Sequence, residues 1–199
     1  MEISVIVTNY NYERFLARSI RSLICQSYNN EEYEIIVIDD YSTDSSKKII
    51  ESFSGHIKSI FNDKNLGLAT SCNKVIKQAL GKYVVRVDAD DYVAVDFLKV
   101  HQLFLANNKS DMNATSSDYL EVDSEENIIQ RRSGVTFPIA CGTMYKTDDM
   151  LELGLFNKDL PREDEDFRCR FLKSGRHIYN IPVPLYRYCK HGMNMTCGL

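Results

Sequence analysis

The chain has 199 residues, 44% hydrophobic and 26% charged, with a formal net charge of −4. That is globular composition at a length suited to one packed domain, and the acidic balance offers no basic face to nucleic acid. No run of about 18 apolar residues would span a bilayer, and MEISVIVTNY reads straight into a strand rather than a secretory leader.

The first hundred residues alternate between two periods. ISVIVT (3–8) is a β-branched run, followed by Phe15, Leu16, Ile20, Leu23 and Ile24 at helical spacing. EIIVID (34–39) is a second strand, with a helix through Lys47–Phe53 and a short strand at 57–61. A helix from about Leu66 to Leu80 follows, with Gly81 expected at its C′ position, and then KYVVRVDAD as another strand. Strand–helix alternation of this kind predicts a mostly parallel sheet covered on both faces, an α/β fold. In the second half, residues 112–132 read as two extended segments around DSEEN. Helices are expected from Lys146 or Thr147 to Leu153 and from Pro161 to Ser174, the latter closed by Gly175. HIYNIPVPLYRY gives one or two short strands whose prolines suit a sheet edge.

In parallel sheets, ligands bind beyond the carboxyl ends of the strands. Three strands here end in polar residues: Thr8-Asn9-Tyr10-Asn11, Asp39-Asp40-Tyr41-Ser42 and Asp88-Ala89-Asp90-Asp91. Strand alternation puts Asp88 and Asp90 on one side, where they could share a hard cation such as Mg²⁺ or Mn²⁺. The competing account is a solvated turn with Asp91 capping a helix that begins near Ala94. Asp40 could serve a nucleotide pocket while Thr43 or Asp44 caps the next helix. A response-regulator phosphoacceptor would place its paired acids after the first strand, where TNYN stands instead. PREDEDFRCRF (161–171) sets four acids at a helix start, which suits the helix dipole, with Asp164–Arg168 and Asp166–Arg170 as i,i+4 pairs. A functional role would need one of these acids to act as a base. His191 offers a metal or phosphate ligand, or is an ordinary loop histidine. Arg86 is a charge inside an apolar strand and needs an acidic partner. The six cysteines, Cys25, Cys72, Cys141, Cys169, Cys189 and Cys197, form no CxxC pair and read as reduced cytosolic thiols.

Taken in order, ISVIVTNYNYERFLARSIRSLICQS, EIIVIDDYSTDSS, NLGLATSCNKVIKQALGKYVVRVDADDYV and REDEDFRCRFLKSG resemble the family 2 glycosyltransferases, inverting nucleotide-sugar enzymes of the Rossmann-like GT-A fold. The likeness covers about residues 1–100 and 138–191. It implies a single GT-A domain, with residues 1–100 as the nucleotide-sugar half and 101–199 as the acceptor and catalytic half. Thr8, Tyr10 and Asp40 then match base and ribose contacts, and Asn65, Gly67 and Asn73 border the nucleotide and its phosphates. Asp88, Ala89 and Asp90 form the DxD stretch, Asp90 being the ligand of Mn²⁺ or Mg²⁺ and Asp88 lying nearer the sugar. Glu163-Asp164 matches the ED pair, with Asp164 as general base, and Gly142 and Thr143 fall on the acceptor side with Glu163.

The resemblance implies transfer of one sugar from a nucleotide-diphosphate sugar, UDP first, to a glycan or glycolipid hydroxyl in cell-surface polysaccharide synthesis. The QxxRW signature of processive synthases is absent, since the chain has no tryptophan. The implied setting is cytoplasmic, with peripheral association at the inner membrane face open. Two other readings stand beside it. A sugar-phosphate nucleotidyltransferase would want a Gly-rich basic loop, which TNYNYERFL lacks; a GT-A-like binding or scaffold module would not need Asp88, Asp90 and Asp164 together.

Overall fold

The computed structural model describes residues 1–107 and 112–192. Its first half runs β1 (Ile3–Asn9), α1 (Glu13–Ile24), β2 (Tyr33–Asp39), α2 (Ser46–Ser52), β3 (Lys58–Phe61), α3 (Leu68–Ile76) and β4 (Tyr83–Asp88). Next come β5 (Tyr92–Val93), α4 (Phe97–Asn107), β6 (Met112–Val122), β7 (Ile128–Arg132), β8 (Met144–Lys146), α5 (Thr147–Glu152), α6 (Glu163–Lys173) and β9 (His177–Cys189). One sheet has the order β3-β2-β1-β4-β8-β6-β9-β5, with β7 alongside β6. The first four strands are mutually parallel. β8 is antiparallel to both β4 and β6, and so joins the regular half to the irregular one.

Strand alternation sorts the core into two layers. Ile3, Val5 and Val7 of β1 join Val37, Val85 and Val87 against Leu16, Ile20 and Leu23 of α1 and Phe97 of α4. Ile6, Ile36, Ile38 and Val84 face the other way, onto Cys72, Val75 and Ile76 of α3 and Phe167 and Phe171 of α6. The continuous apolar runs of β1 and β2 follow from burial on both faces. This is the α/β architecture the periodicity predicts.

Several local expectations are corrected. α3 ends at Ile76, so Gly81 is not its C′ residue. Gly81 is instead held against the Ser4 and Ile3 backbone, where an added Cβ would overlap main-chain atoms. Pro161 precedes the N-cap Arg162 rather than lying inside the first turn, whereas Gly175 does follow α6 with φ +83°. The C-terminal segment is one 13-residue strand, β9, parallel to β6 along its length. Pro182 and Pro184 sit at a register break between Ser117 and Asp118, while β5 covers only Tyr186 and Arg187 on the far side. The prolines therefore occupy a bulge with a free edge. Cys25, Cys72, Cys141, Cys169 and Cys189 are free thiols, and Cys197 lies outside the described residues. Among the described residues no helix is long and apolar enough to cross a membrane.

His101 of α4 is completely buried and shares a 2.9 Å hydrogen bond with Thr115 of β6. Burial pushes its pKa down to about 3, below the unfolded value of about 6.5. The unfolded chain thus binds the proton first, and His101 costs stability as pH falls from about 6.5 toward 3. At pH 5 the loss is about 2 kcal/mol. Urea midpoints of the parent and His101→Gln at pH 7.5 and 5.0 check this; equal acid sensitivity would contradict it.

Candidate active site

The carboxyl ends of β1, β2 and β4 form one rim. Thr8 stands beside Asp88, and Asn9 beside Asp39. The Asn9 amide donates to Asp39 Oδ1 at 2.7 Å, and the Ser42 hydroxyl donates to the same oxygen at 2.6 Å, so Asp39 is committed to holding two loops together. Asp40 is buried and accepts from the Leu66 and Gly67 amides at 2.9 and 2.8 Å and from Asn62 at 2.8 Å. It thereby fixes the 62–67 loop, where Gly67 has φ +82° and the Asn65 side chain accepts a further bond from its amide. Asn73 lies on α3 and exchanges two hydrogen bonds with the Phe156 backbone, tying that helix to the loop ahead of α6. Tyr10 follows β1 and Tyr41 lies two residues past β2, both with exposed rings, and Asn11 and Tyr41 have positive φ values of 59° and 70°. Left-handed backbone at non-glycine residues costs about 1 kcal/mol or more and is commonest at functional rims.

β4 ends at Asp88, and residues 89–90 form a turn closed by the Asp91 amide bonding the Asp88 carbonyl at 3.1 Å. The strand-alternation argument for Asp88 and Asp90 therefore stops at Asp88. The turn instead aims Asp90 at His191: Oδ2 lies 3.0 Å from Nε2, and both side chains are at least nine-tenths buried. The His191 ring stacks on Phe15 with centroids 4.5 Å apart, which fixes its plane. Burial raises the Asp90 pKa, Asp88 adds to the rise, and the His191 hydrogen bond opposes it.

Asp91 is not a helix cap. It is 1% exposed, and its carboxylate accepts from the Tyr186 hydroxyl at 2.7 Å and the Cys189 amide at 2.8 Å. It anchors the DADD turn to β9, a partner 98 residues away. Burial, then Asp90 and Asp88, drive its pKa well up. Asp91→Ala would strand two buried donors, each costing about 1–3 kcal/mol. We expect it to lower unfolding free energy by about 3 kcal/mol, read from urea denaturation, and Asp91→Asn to lose less because one acceptor remains. An unchanged midpoint in Asp91→Ala would contradict this.

Arg86 has its acidic partners. Its guanidinium Nε lies 2.8 Å from Asp88 Oδ1, off line for a hydrogen bond, and its terminal nitrogen lies 4.0 Å from Asp164 Oδ2. Burial opposes its charge, but Asp88 and Asp164 outweigh that cost. One buried cation thus links the end of β4 to the first turn of α6. Asp164 is partly exposed and caps its own neighbour, accepting from the Glu165 amide at 2.8 Å. Glu163 is half-buried, and burial raises its pKa. Gly142 has φ +74° and donates to the Arg86 carbonyl at 2.8 Å; a Cβ there would meet the Tyr186 ring at 2.6 Å. Of the two i,i+4 pairs read from the sequence, Asp166–Arg170 forms at 2.8 Å, while no ion pair joins Asp164 to Arg168.

Two groupings could be considered for a metal ion. Asp88, Asp91 and Cys141 bring ligand atoms within 4.8 Å of one another. Asp91 is already saturated by donors there, and a thiol is a poor partner for Mg²⁺ or Mn²⁺. Asp90 and His191 fit better. Their nitrogen and oxygen, now 3.0 Å apart in a direct hydrogen bond, would suit Mn²⁺ or Mg²⁺ better than a thiol does.

The mixed sheet with helices on both faces has the GT-A fold of solved glycosyltransferase structures. The Glycosyl transferase family 2 model matches residues 4–171, and the chain belongs to that family. It is 44% identical over 206 residues to the putative glycosyltransferase EpsE of Bacillus subtilis, covering 94% of this chain and 72% of that one. It is 35% identical to an uncharacterized glycosyltransferase of Haemophilus influenzae, covering 79% of this chain and 46% of that protein. Residues 1–349 of Staphylococcus aureus TarS in complex with UDP-GlcNAc superpose with a TM-score of 0.86 at 24% identity, over 100% of this chain and 61% of that one. The chain thus spans about half of the H. influenzae relative and 61% of the TarS fragment.

Proposed function

We propose that the chain is an inverting glycosyltransferase moving one sugar from a nucleotide-diphosphate sugar, UDP first, to an acceptor hydroxyl of a glycan or glycolipid. The Asp90–His191 pair carries this reading, because it sits on the same rim as Asp88, Arg86 and Asp164. UDP and UDP-GlcNAc are bound in structures of TarS, a protein named as a poly(ribitol-phosphate) β-N-acetylglucosaminyltransferase, which supports UDP as the nucleotide. Residues 1–100 would form the donor half and 101–199 the acceptor half of one domain.

In this reading Tyr10, Tyr41 and the Asp40-held loop frame the nucleoside, with Thr8 and Asn65 beside it. Asp90 and His191 would hold Mn²⁺ or Mg²⁺, which supplies positive charge against the departing diphosphate. Asp88, paired with Arg86, faces the sugar. Asp164 takes the proton of the acceptor hydroxyl as that oxygen bonds to the anomeric carbon. The carbon–oxygen bond to the diphosphate breaks, and the nucleoside diphosphate leaves with the bonding electrons from the opposite face. Incubation with α-linked UDP-sugars and an alcohol acceptor, followed by proton NMR of the product, tests this. β-Linked product and free UDP are expected, and α-linked product would overturn the mechanism.

A further inference from the structure

α6 carries a cation that the donor chemistry does not use. Arg168 lies four residues after Asp164, one helical turn along the same face. The three acids nearest to it on that helix are turned elsewhere: Asp166 to Arg170 at 2.8 Å, Glu165 to Arg162 at 3.0 Å, and Asp164 toward Arg86. No ion pair or hydrogen bond joins Arg168 to another described residue. Its half-buried side chain lines a recess with Ser116 and Ser117 of β6, Gly142, Thr143 and Tyr186.

The recess walls also have hydrogen-bonding capacity to spare. Thr143 is 2% exposed, and its hydroxyl, beside the Tyr145 phenol, meets no partner at full hydrogen-bond geometry among the described residues. A partly desolvated guanidinium beside a buried hydroxyl favours an oxyanion, which a planar fork can bind through two parallel bonds. A neutral sugar hydroxyl would leave the charge uncompensated.

We infer that Arg168 is a specificity-determining residue that binds an oxyanion, phosphate or carboxylate, carried on the acceptor beside its attacking hydroxyl. The acceptor part of this inference rests on the transferase reading above. The guanidinium anchors the anion one helical turn from Asp164, so the neighbouring hydroxyl is presented to that carboxylate.

The test uses the full chain saturated with UDP and Mg²⁺, which blocks the donor diphosphate site. Glycerol 3-phosphate, glycerate and glycerol are titrated while the arginine side-chain Nε–Hε resonances are followed, Arg168 being assigned from its loss in Arg168→Gln. Glycerol 3-phosphate or glycerate is expected to shift the Arg168 signal and glycerol to leave it unmoved. Binding should weaken by about tenfold or more in Arg168→Gln, about 1.4 kcal/mol, with part of it kept in Arg168→Lys. The stronger of the two anions identifies the charged group. Equal affinities in the parent and Arg168→Gln, or glycerol binding as tightly as both anions, would overturn the inference. Thermal stabilisation by UDP is read on the same samples. Its absence would remove the transferase reading, whereas its presence with no Arg168 dependence removes only this one.

Discussion

Asp164→Asn is expected to lower turnover by about 10²–10⁴-fold while leaving donor affinity within a few fold. The substitution keeps the side-chain shape and the acceptor for the Glu165 amide, so the first turn of α6 should hold. What it removes is the lone pair that takes the proton. Asn also carries no charge to set against Arg86, whose terminal nitrogen lies 4.0 Å away, but Arg86 keeps Asp88 at 2.8 Å. Turnover at saturating donor, with UDP affinity measured by calorimetry, separates the two effects. Near-normal turnover would remove Asp164 as the base and move attention to Glu163, whose raised pKa and half-buried place make it the alternative proton acceptor.

Asp90→Ala is expected to abolish the gain in UDP affinity that Mn²⁺ provides and to cut turnover by about 10²–10³-fold or more. The reason is that Asp90 would supply one of two ligand atoms for the cation, and His191 alone would offer a single nitrogen. At Asp90, burial and then Asp88 disfavour the charge, while the His191 hydrogen bond favours it. A cation bound there would offset both unfavourable effects. Metal-free UDP binding is the control, since the proposed nucleoside contacts come from β1, β2 and the 62–67 loop. A variant that keeps the full Mn²⁺ effect would show that the cation sits elsewhere on the rim.

What was legible in the sequence divides along a physical line. β1, β2 and β4 announce themselves because strands buried on both faces need unbroken β-branched runs, and the polar residues that end them mark the rim. The ends of the helices and the roles within DADD were not legible. Asp91 reads locally as a helix start, yet its partners are Tyr186 and Cys189, 95 and 98 residues away on β9. Gly81 reads as a helix cap because a glycine follows a helical pattern; the real constraint is the closeness of the Ser4 backbone. Arg86 was recognisable as needing acids, but which two was a matter of β4 meeting α6. Arg168 shows the converse, because i,i+4 spacing promised it Asp164 and the fold turned it into a recess instead.

The central claim is that a nucleotide-diphosphate sugar and a divalent cation bind together at the Asp88–Asp90–His191 rim. The direct measurement is the thermal midpoint of the chain with UDP-, GDP- and dTDP-sugars, each with and without Mn²⁺. Ligand at about 100 times its dissociation constant adds about 2.7 kcal/mol. The account predicts that UDP-sugars raise the midpoint, that Mn²⁺ enlarges the rise, and that Asp90→Ala erases the enlargement. A midpoint that no donor moves, with or without the metal, would contradict it.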